Sequence, residues 1–193
     1  MKLLILDRDG TLNRRREDHV ASPDEWEALP GALEAVARLN QDGWKVVLAT
    51  NQSGIGRGLF DMAALNAIHA KMNRQLAAAG GRLEAVFFCP HAPGDGCDCR
   101  KPRPGLFLQI GQRFGVPLAG VQAAGSALRH VHAAMAAGCQ AHLLFAGTAE
   151  QLREQQGGSD GVPAGVRVHA DLAAYADWLL ANATDLTTTA PSP

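Results

Sequence analysis

The sequence lacks any apolar stretch long enough to cross a membrane, and its first residues do not predict a secretory leader. A membrane span needs about 20 apolar residues, and no segment approaches that length. The amino terminus carries one Lys and a short apolar run that Asp7 ends, whereas a signal peptide needs about 7–15 apolar residues. We therefore expect a cytoplasmic protein with no membrane partner, and we interpret Leu3–Leu6 as a buried strand.

An excess of either charge is absent as well. The 18 Lys and Arg residues and the 19 Asp and Glu residues leave a formal net charge of -1, so no basic field indicates a nucleic-acid partner. With 47% hydrophobic and 19% charged residues, the composition is that of a globular domain. We expect a monomer with a single domain at residues 1–183. The Thr- and Pro-rich tail, Thr184–Pro193, is predicted to be disordered.

A third absence is local. Between Arg100 and Ala149 the sequence contains no Asp or Glu, although this segment includes a predicted bend at Gly125 where a strand turns into a helix. In many α/β proteins that handle phosphate, such a bend presents carboxylates to a metal ion. The bend is therefore either an ordinary connector or a catalytic bend that has lost its acids.

Short apolar runs alternate with helical patterns along the chain. Apolar runs separated by helices indicate a parallel sheet that is covered on both faces. The sequence thus predicts an α/β, Rossmann-like parallel sheet of about five strands, with helices on both faces and no large cap domain. The predicted strands are Leu3–Leu6, Lys45–Ala49, Ala85–Phe88, Val121–Ala124 and Ala141–Phe145. The predicted helices are Ala32–Gln41, Met62–Ala79, Leu106–Phe114, Leu128–Ala137, Thr148–Gln155 and Leu172–Ala181.

Two carboxylates follow the first predicted strand. Asp7 and Asp9 stand two positions apart, and Gly10 and Thr11 close the turn. An Asp-Gly turn at a strand end is common. It does not explain a second Asp where a buried strand opens onto the ligand-binding edge of a parallel sheet. Two carboxylates there suit a hard cation, or a nucleophile beside an acid or base.

The second predicted strand ends in the glycine-rich segment TNQSGIGRG, Thr50–Gly58. Thr50 offers a hydroxyl group, Asn51 offers amide donors, and the glycines let backbone N–H groups turn inward. An ordinary glycine-rich loop is the alternative, whereas a Walker loop is excluded because no G-K-[ST] follows. Beside Asp7, the segment predicts a phosphate-binding loop.

Three of the four cysteines lie in one loop. Cys89, His91, Cys97 and Cys99 offer three thiolates and one imidazole, a set that tetrahedral zinc accepts. Four protein ligands predict a structural ion and not a catalytic one. A loop with free thiols or a disulfide is the alternative, but adjacent C-x-C pairs are poorly placed to form one. Cys139 lies in an apolar stretch and is predicted to be buried.

Two cations follow the cysteine loop directly. The simplest interpretation is that Arg100 and Lys101 are two cations exposed to solvent. A zinc-bound loop would instead hold both at the edge of the sheet, with Lys101 as a point charge for a phosphate and Arg100 as a fork for substrate oxygens.

Together these motifs resemble those of the haloacid dehalogenase-type phosphatases, whose first motif is similar to LDRDGTLN here. The resemblance implies that Asp7 attacks the substrate phosphorus to form a phosphoaspartyl intermediate. It implies that Asp9 protonates the leaving oxygen and then activates water, and that Mg²⁺ is held by Asp7 and the Asp9 carbonyl. Thr50 and Lys101 are implied to contact the phosphoryl group. The residues implied to bind substrate are Asn51, Gln52, Ser53, Arg100 and Arg15.

The order of the motifs indicates one family among these phosphatases. D-x-D, T-N-Q-S-G, C-x-H with C-x-C, and R-K-P-x-P-G occur in turn between Lys2 and Cys139. They are similar to those of the D-glycero-D-manno-heptose 1,7-bisphosphate 7-phosphatase family, which implies removal of the C7 phosphate from a small phosphorylated sugar. A related branch that hydrolyses histidinol phosphate carries a similar metal loop and stays open as an alternative. The basic run Arg14–Arg16 could meet a second phosphate, or it is simply solvated.

The last motif of that family, G-D-x-x-x-D, departs from its pattern here. Aligning its glycine with Gly125 places Ser126 and His130 at the acidic positions. A neutral hydroxyl and an imidazole are poor ligands for Mg²⁺, so this is a degenerate metal position, and reduced activity is expected. Two hypotheses follow: a Mg²⁺-dependent sugar-bisphosphate phosphatase, or a protein on the same scaffold that binds a phosphorylated ligand without turning it over.

Overall fold

The computed structural model describes residues 1–155 and 161–188. One sheet of six parallel strands, in the order β3-β2-β1-β4-β5-β6, forms its centre. The predicted parallel sheet is confirmed, with one strand more than expected. The strands are β1 (Leu3–Leu6), β2 (Lys45–Asn51), β3 (Ala85–Cys89), β4 (Gln122–Gly125), β5 (Gln140–Leu144) and β6 (Arg167–His169).

Helices cover both faces of the sheet, as predicted. The helices are α1 (Ala32–Gln41), α2 (Met62–Ala78), α3 (Gly105–Phe114), α4 (Leu128–Ala136), α5 (Ala149–Gln155) and α6 (Leu172–Thr188). One hydrophobic cluster joins the sheet to α1, α2 and α6, and a second cluster joins it to α3 and α4. Among the described residues, only these helices, a single 3₁₀ turn at Pro23–Glu25 and connecting loops lie between the strands, and none of them forms a large cap domain.

Strand β1 lies in the middle of the sheet because both of its faces are apolar. Its four residues are all buried. Successive side chains of a strand point to opposite faces, so Leu4 and Leu6 enter the first cluster while Leu3 and Ile5 enter the second. This burial on both sides explains why the run carries no polar alternation.

The strand order creates a crevice at the carboxyl ends of the central strands. Strand β1 pairs with β2 on one side and with β4 on the other. The chain therefore builds β2 and β3 on one side of β1 and then crosses over to build β4, β5 and β6 on the other side. Ligands bind at such a switch point in open parallel sheets, because the flanking loops diverge there. The residues that follow β1, β2 and β4 are therefore brought to one edge.

Two predictions near the carboxyl terminus were wrong. The sequence predicts no strand at Arg167–His169, but β6 lies there. This strand is short and its first two residues are exposed, so it carries no apolar run. Helix α6 continues to Thr188, beyond the end that the sequence predicts at Ala181. The rest of the predicted tail, residues 189–193, lies outside the described residues.

Within residues 1–155 and 161–188, no helix combines the length and the apolar content that a membrane span requires.

Candidate active site

Asp7 lies in the crevice at the carboxyl end of β1 and is buried. Its Oδ1 accepts hydrogen bonds from the Lys101 ammonium and from the Arg8 backbone N–H, both at 2.9 Å. Burial alone would raise the pKa of Asp7, but the charge of Lys101, with help from other nearby basic groups, holds this pKa well below its usual range. Asp7 is therefore a carboxylate at neutral pH, as a nucleophile must be.

Lys101 is fully buried and donates to three acceptors. Its Nζ lies 2.9 Å from Asp7 Oδ1, 2.6 Å from the Ala49 carbonyl oxygen and 3.0 Å from His130 Nδ1. The Asn51 side chain fixes the backbone of Lys101: its amide donates to the Lys101 carbonyl at 3.0 Å, and its Oδ1 accepts from the Lys101 N–H at 3.1 Å. Asn51, expected to bind substrate, thus positions Lys101 in this structure.

The Asp9 carboxylate is held by a set of donors on both oxygens. Arg8 contacts Oδ1 through Nε at 3.2 Å and through Nη2 at 2.9 Å, and it contacts Oδ2 at 3.2 Å. Asn13 donates to Oδ1 and Gln52 donates to Oδ2, each at 3.0 Å. Charge-assisted, bidentate contacts of this kind fix the orientation of a carboxylate. Gln52, another expected substrate contact, orients Asp9 here.

Thr50 and Ser53 are both buried in the loop after β2. The Thr50 hydroxyl oxygen accepts from the Gln52 amide at 2.9 Å. This leaves the hydroxyl hydrogen of Thr50 available to donate. Because β2 is the neighbour of β1 in the sheet, Thr50 lies at the edge where Asp7 lies, as the sequence predicts.

The bend after β4 brings Ser126 to the same edge. Its hydroxyl donates to the Asp9 carbonyl oxygen at 3.3 Å and accepts from Arg15 Nη2 at 3.2 Å. Its backbone N–H donates to Thr11 Oγ1 at 3.2 Å. The bend is therefore no ordinary connector, because its first side chain contacts the turn that carries both aspartates.

The close approach of this bend to β1 requires glycine at position 125. A Cβ atom on Gly125 would lie 2.8 Å from His130 Cδ2 and 3.1 Å from Asp7 Cβ. Such distances leave no room for a side chain. The glycine thus lets His130 reach into the crevice behind Asp7.

His130 is fully buried and neutral. Burial, followed by the charge of Lys101, lowers the pKa of His130 to about 3. Because the Lys101 ammonium can only donate, Nδ1 of His130 accepts this hydrogen bond and the ring proton resides on Nε2. The ring packs edge-on against Phe107 with a centroid distance of 5.1 Å. The neutral His130 ring, a hydrogen-bond acceptor, therefore occupies the position of the second acid in the G-D-x-x-x-D motif.

The oxygen donors in this crevice do not suit a magnesium ion. Mg²⁺ prefers hard oxygen ligands, chiefly carboxylates, but Ser126 offers a neutral hydroxyl. Oδ1 of Asp7 is bound to Lys101, and the Asp9 carbonyl accepts from Ser126. Over the described parts of the chain, a cluster of three or more metal-ligating groups forms in the cysteine loop and not here. The magnesium expected from the resemblance therefore has the Asp7 carboxylate and the Asp9 carbonyl but lacks a second acidic ligand.

The basic run divides into one inward and two outward side chains. Arg15 is partly buried and reaches Ser126 at 3.2 Å. Its neighbours form salt bridges away from the crevice: Arg14 with Glu27 at 2.8 Å and Arg16 with Glu25 at 3.7 Å. The substrate contact expected at Arg15 is thus placed at the site, while the flanking cations are held elsewhere.

The four expected zinc ligands converge as the sequence predicts. Their ligand atoms all lie within 4.8 Å of one another. Cys89 Sγ lies 3.6 Å from Cys97 Sγ and 3.5 Å from His91 Nδ1, which is 3.2 Å from Cys99 Sγ. A tetrahedral zinc ion would set these edges at about 3.5–3.8 Å. All four cysteines are unpaired, which argues against the disulfide alternative, and Cys139 is buried as predicted.

Backbone contacts join the cysteine loop to the phosphate-binding loop. The Gln52 N–H donates to the Cys89 carbonyl and the Gly56 N–H donates to the Pro90 carbonyl, both at 2.8 Å. A Cβ on Gly56 would lie 2.7 Å from that Pro90 oxygen, so only glycine allows this approach. Arg100 is half-buried and donates to the His91 carbonyl at 3.5 Å. The cysteine loop therefore fixes the segment that carries Arg100 and Lys101.

Sequence reasoning missed three residues of this site. Arg8 and Asn13 hold the Asp9 carboxylate, and the charge of the exposed Arg129 lowers the pKa of Asp7. Arg8 lies between the two aspartates, which is a signal that could have found it. Arg129 follows the bend and carried no comparable signal.

A cavity of about 280 Å³ opens beside the aspartate turn. Its wall includes Gly10, Thr11, Arg15, Ser126 and Phe145. Polar groups lie on the side towards Asp9 and apolar groups on the side towards β5, so a ligand could approach Arg15 from this space.

Comparison with known proteins places these motifs among phosphatases. The family model described as polynucleotide kinase 3 phosphatase matches residues 2–138. A D-glycero-beta-D-manno-heptose-1,7-bisphosphate 7-phosphatase from Bordetella bronchiseptica is 55% identical over 183 residues, covering 95% of this chain and 100% of the relative. One of the same description from Pseudomonas aeruginosa is 44% identical over 178 residues, covering 92% and 97%.

A solved structure of one such phosphatase has the same fold as this chain. The crystal structure of D,D-heptose 1.7-bisphosphate phosphatase from B. bronchiseptica, complexed with magnesium and phosphate, superposes with a TM-score of 0.88 at 55% identity. The match covers 94% of this chain and 99% of that chain. Because identity, coverage and fold agree, the resemblance seen in the motifs extends over nearly the whole chain.

Proposed function

Because the chain belongs to the family of D-glycero-beta-D-manno-heptose-1,7-bisphosphate 7-phosphatases, we propose that it hydrolyses the C7 phosphate ester of D-glycero-D-manno-heptose 1,7-bisphosphate. The observation that carries the proposal is the buried Asp7 carboxylate, held by Lys101 at 2.9 Å at the sheet edge that also carries the buried Thr50. A fixed carboxylate with an adjacent cation is the arrangement that nucleophilic attack on a phosphate requires.

In the first step, a carboxylate oxygen of Asp7 forms a bond to phosphorus, and the bond from phosphorus to the sugar oxygen breaks. Asp9 enters this step protonated and gives its proton to that sugar oxygen, which leaves the carboxylate form that Arg8 holds. Lys101 and the hydroxyl of Thr50 offset the charge that develops on the phosphoryl oxygens. Arg8, Asn13 and Gln52 keep the Asp9 carboxylate oriented.

In the second step, Asp9 takes a proton from a water molecule, which attacks the phosphorus of the phosphoaspartyl group. The bond between phosphorus and Asp7 breaks, which releases inorganic phosphate and restores the carboxylate. The relative was crystallised with magnesium, but the oxygen donors of this crevice do not fit that ion, so no step is assigned to it. Arg100, Ser53 and Arg15 are proposed to contact the substrate.

We also propose that Cys89, His91, Cys97 and Cys99 hold a structural zinc ion. The close approach of all four ligand atoms supports this assignment. Four protein ligands leave no open position for a substrate, so the ion would act by fixing the loop that carries Lys101. A cytoplasmic monomer with a small phosphorylated sugar as its partner, and with no nucleic-acid or membrane partner, remains our expectation.

The function is tested by measuring phosphate release from the heptose bisphosphate across a range of magnesium concentrations. The product should be the 1-phosphate, which ³¹P NMR distinguishes from the 7-phosphate. Asp7→Asn should lose at least about a thousandfold in kcat/KM. The control Asp42→Asn, at an exposed pair with Lys2, should not. Absence of release by the folded wild type, or equal rates for Asp7→Asn, would refute the phosphatase assignment.

Histidinol phosphate is the comparison substrate in that assay. The relatives reported above are described as heptose bisphosphate phosphatases, so we expect the heptose bisphosphate to have the higher kcat/KM. A preference for histidinol phosphate would assign the chain to the other branch.

A further inference from the structure

We propose that this crevice binds the phosphate group without a divalent cation, with the Arg15 guanidinium and the Lys101 ammonium supplying the positive charge. The proposal rests on the proposed function, because it concerns the same phosphate site. It starts from the finding that the oxygen donors in the crevice do not fit magnesium.

The hydrogen bonds of Ser126 tie Arg15 to the aspartate turn. The Ser126 hydroxyl donates to the Asp9 carbonyl at 3.3 Å and accepts from Arg15 Nη2 at 3.2 Å. An aspartate at position 126 could not donate to that carbonyl, whereas serine uses one hydroxyl as donor and acceptor together. A Cβ on Gly10 would lie 3.3 Å from both Nε and Nη2 of Arg15. The guanidinium therefore lies directly against the turn that carries Asp7 and Asp9.

The charges around the turn are already balanced by protein groups. Arg8 neutralises Asp9 through bidentate contacts, and Lys101 neutralises Asp7. Arg15 and Arg129 are two further cations near the turn. Arg129 lies close enough to act on the charges of both Asp7 and Arg15, and Arg15 lies close enough to interact with Asp7. The crevice thus carries an excess of positive charge, which attracts an anion and repels a divalent cation.

His130 reinforces this excess. An aspartate at that position would pair with Lys101 and neutralise it. The imidazole only accepts a hydrogen bond from Lys101 at 3.0 Å, so the ammonium keeps its charge for Asp7 and for a ligand. The two departures from the family motif therefore act together: Ser126 accepts a hydrogen bond from Arg15, and His130 adds no second negative charge beside Lys101.

A guanidinium suits the proposed task. It presents several N–H donors in a planar fork that matches a phosphate, and it cannot lose its charge near neutral pH. Arg15 contacts Ser126 through Nη2 at 3.2 Å, and the side chain borders the cavity of about 280 Å³. A phosphate in this cavity could therefore reach Arg15 directly. The buried Lys101 ammonium, whose three N–H donors contact Asp7, Ala49 and His130, would add its positive charge at short range without a direct contact.

Isothermal titration calorimetry with inorganic phosphate tests the proposal. Wild-type protein in magnesium-free buffer, with its zinc retained, should bind phosphate with a Kd within about twofold of that in saturating magnesium chloride. Arg15→Gln should weaken the binding at least about tenfold. The matched control Arg14→Gln should leave it unchanged, because Arg14 pairs with Glu27 outside the crevice. Zinc content and circular dichroism confirm that each variant is folded.

A restored variant provides the converse test. In Ser126→Asp/His130→Asp, phosphate binding should depend on magnesium. In magnesium-free buffer, this variant should bind phosphate more weakly than the wild type does. Magnesium-dependent binding by the wild type, or equal Kd values for Arg15→Gln and Arg14→Gln, would overturn the proposal. The wild-type comparison needs no variant, so it decides the question even if Arg15→Gln fails to fold.

The same measurements separate this proposal from the proposed function. Phosphate binding in magnesium-free buffer without release of phosphate from the heptose bisphosphate would refute the function and support the binding mode. Hydrolysis and phosphate binding that both require magnesium would support the function and refute the binding mode.

Discussion

Lys101→Met should destabilise the protein strongly, because it leaves the Asp7 carboxylate buried without its cation. The side chain of Lys101 is 0% exposed and that of Asp7 is 5% exposed, and their charged atoms lie 2.9 Å apart. Methionine has a similar length and apolar body, so the change removes the charge and the hydrogen bonds with little loss of packing.

Two estimates set the size of the stability loss expected for Lys101→Met. Removing one partner of a buried ion pair costs about 3–5 kcal/mol. The protein can instead protonate Asp7, and from an ordinary pKa of 3.8 this costs about 4.4 kcal/mol at pH 7. The N–H of Arg8 and the charges of Arg15 and Arg129 remain. We therefore expect the free energy of unfolding to fall by about 3 kcal/mol.

Urea denaturation, followed by circular dichroism at pH 7 with zinc retained, measures the change. The double variant Asp7→Asn/Lys101→Met removes both charges and should be more stable than the sum of the single losses predicts, by at least about 2 kcal/mol. A loss below about 1 kcal/mol for Lys101→Met, or additive single losses, would show that Asp7 and Lys101 are not a charged pair.

The pH dependence of this loss has a definite sign. The pKa of Asp7 is lower in the folded protein than in the unfolded chain, so the stabilisation by the pair is present above the ordinary pKa of 3.8. It is lost as the pH falls below that value. The difference between wild type and Lys101→Met should therefore be constant near neutral pH and should shrink in acid.

Two further predictions concern other parts of the fold. Cys97→Ser should lose zinc, which inductively coupled plasma mass spectrometry detects, and should lower the melting temperature, while Cys139→Ser should keep the metal. Equal zinc content in the two variants would refute the assignment of Cys97 as a zinc ligand. Burial, followed by the charges of His169 and Arg167, lowers the pKa of His142 from 6.5 to about 3. Its contribution to stability is present above pH 6.5 and is lost as the pH falls, by about 1.4 kcal/mol per pH unit. His142→Asn should make urea unfolding less pH-dependent by about this slope between those values, and an unchanged slope would contradict the desolvation argument.

The strand ends and the cysteine loop could be predicted because their signals are local. Uniform burial on two faces gives apolar runs such as Leu3–Leu6, and the residues that follow such runs must meet at one edge of a parallel sheet. The ligands Cys89 and Cys99 are close in sequence, so their spacing alone indicated a shared ion. The short strand Arg167–His169 carried no such signal, because two of its residues are exposed at the edge of the sheet.

The sequence by itself determined which chemical groups reach the crevice: the two aspartates, Thr50, Lys101 and the neutral pair Ser126 and His130. Only the tertiary structure decided what these groups contact. Ser126 and Arg15 are separated by 111 positions in the chain, and His130 and Lys101 by 29, so no spacing rule connects them. Their hydrogen bonds exist because the sheet places the ends of β1 and β4 side by side. That placement sets two neutral side chains, in contact with a guanidinium and an ammonium, where the resemblance implies two acids.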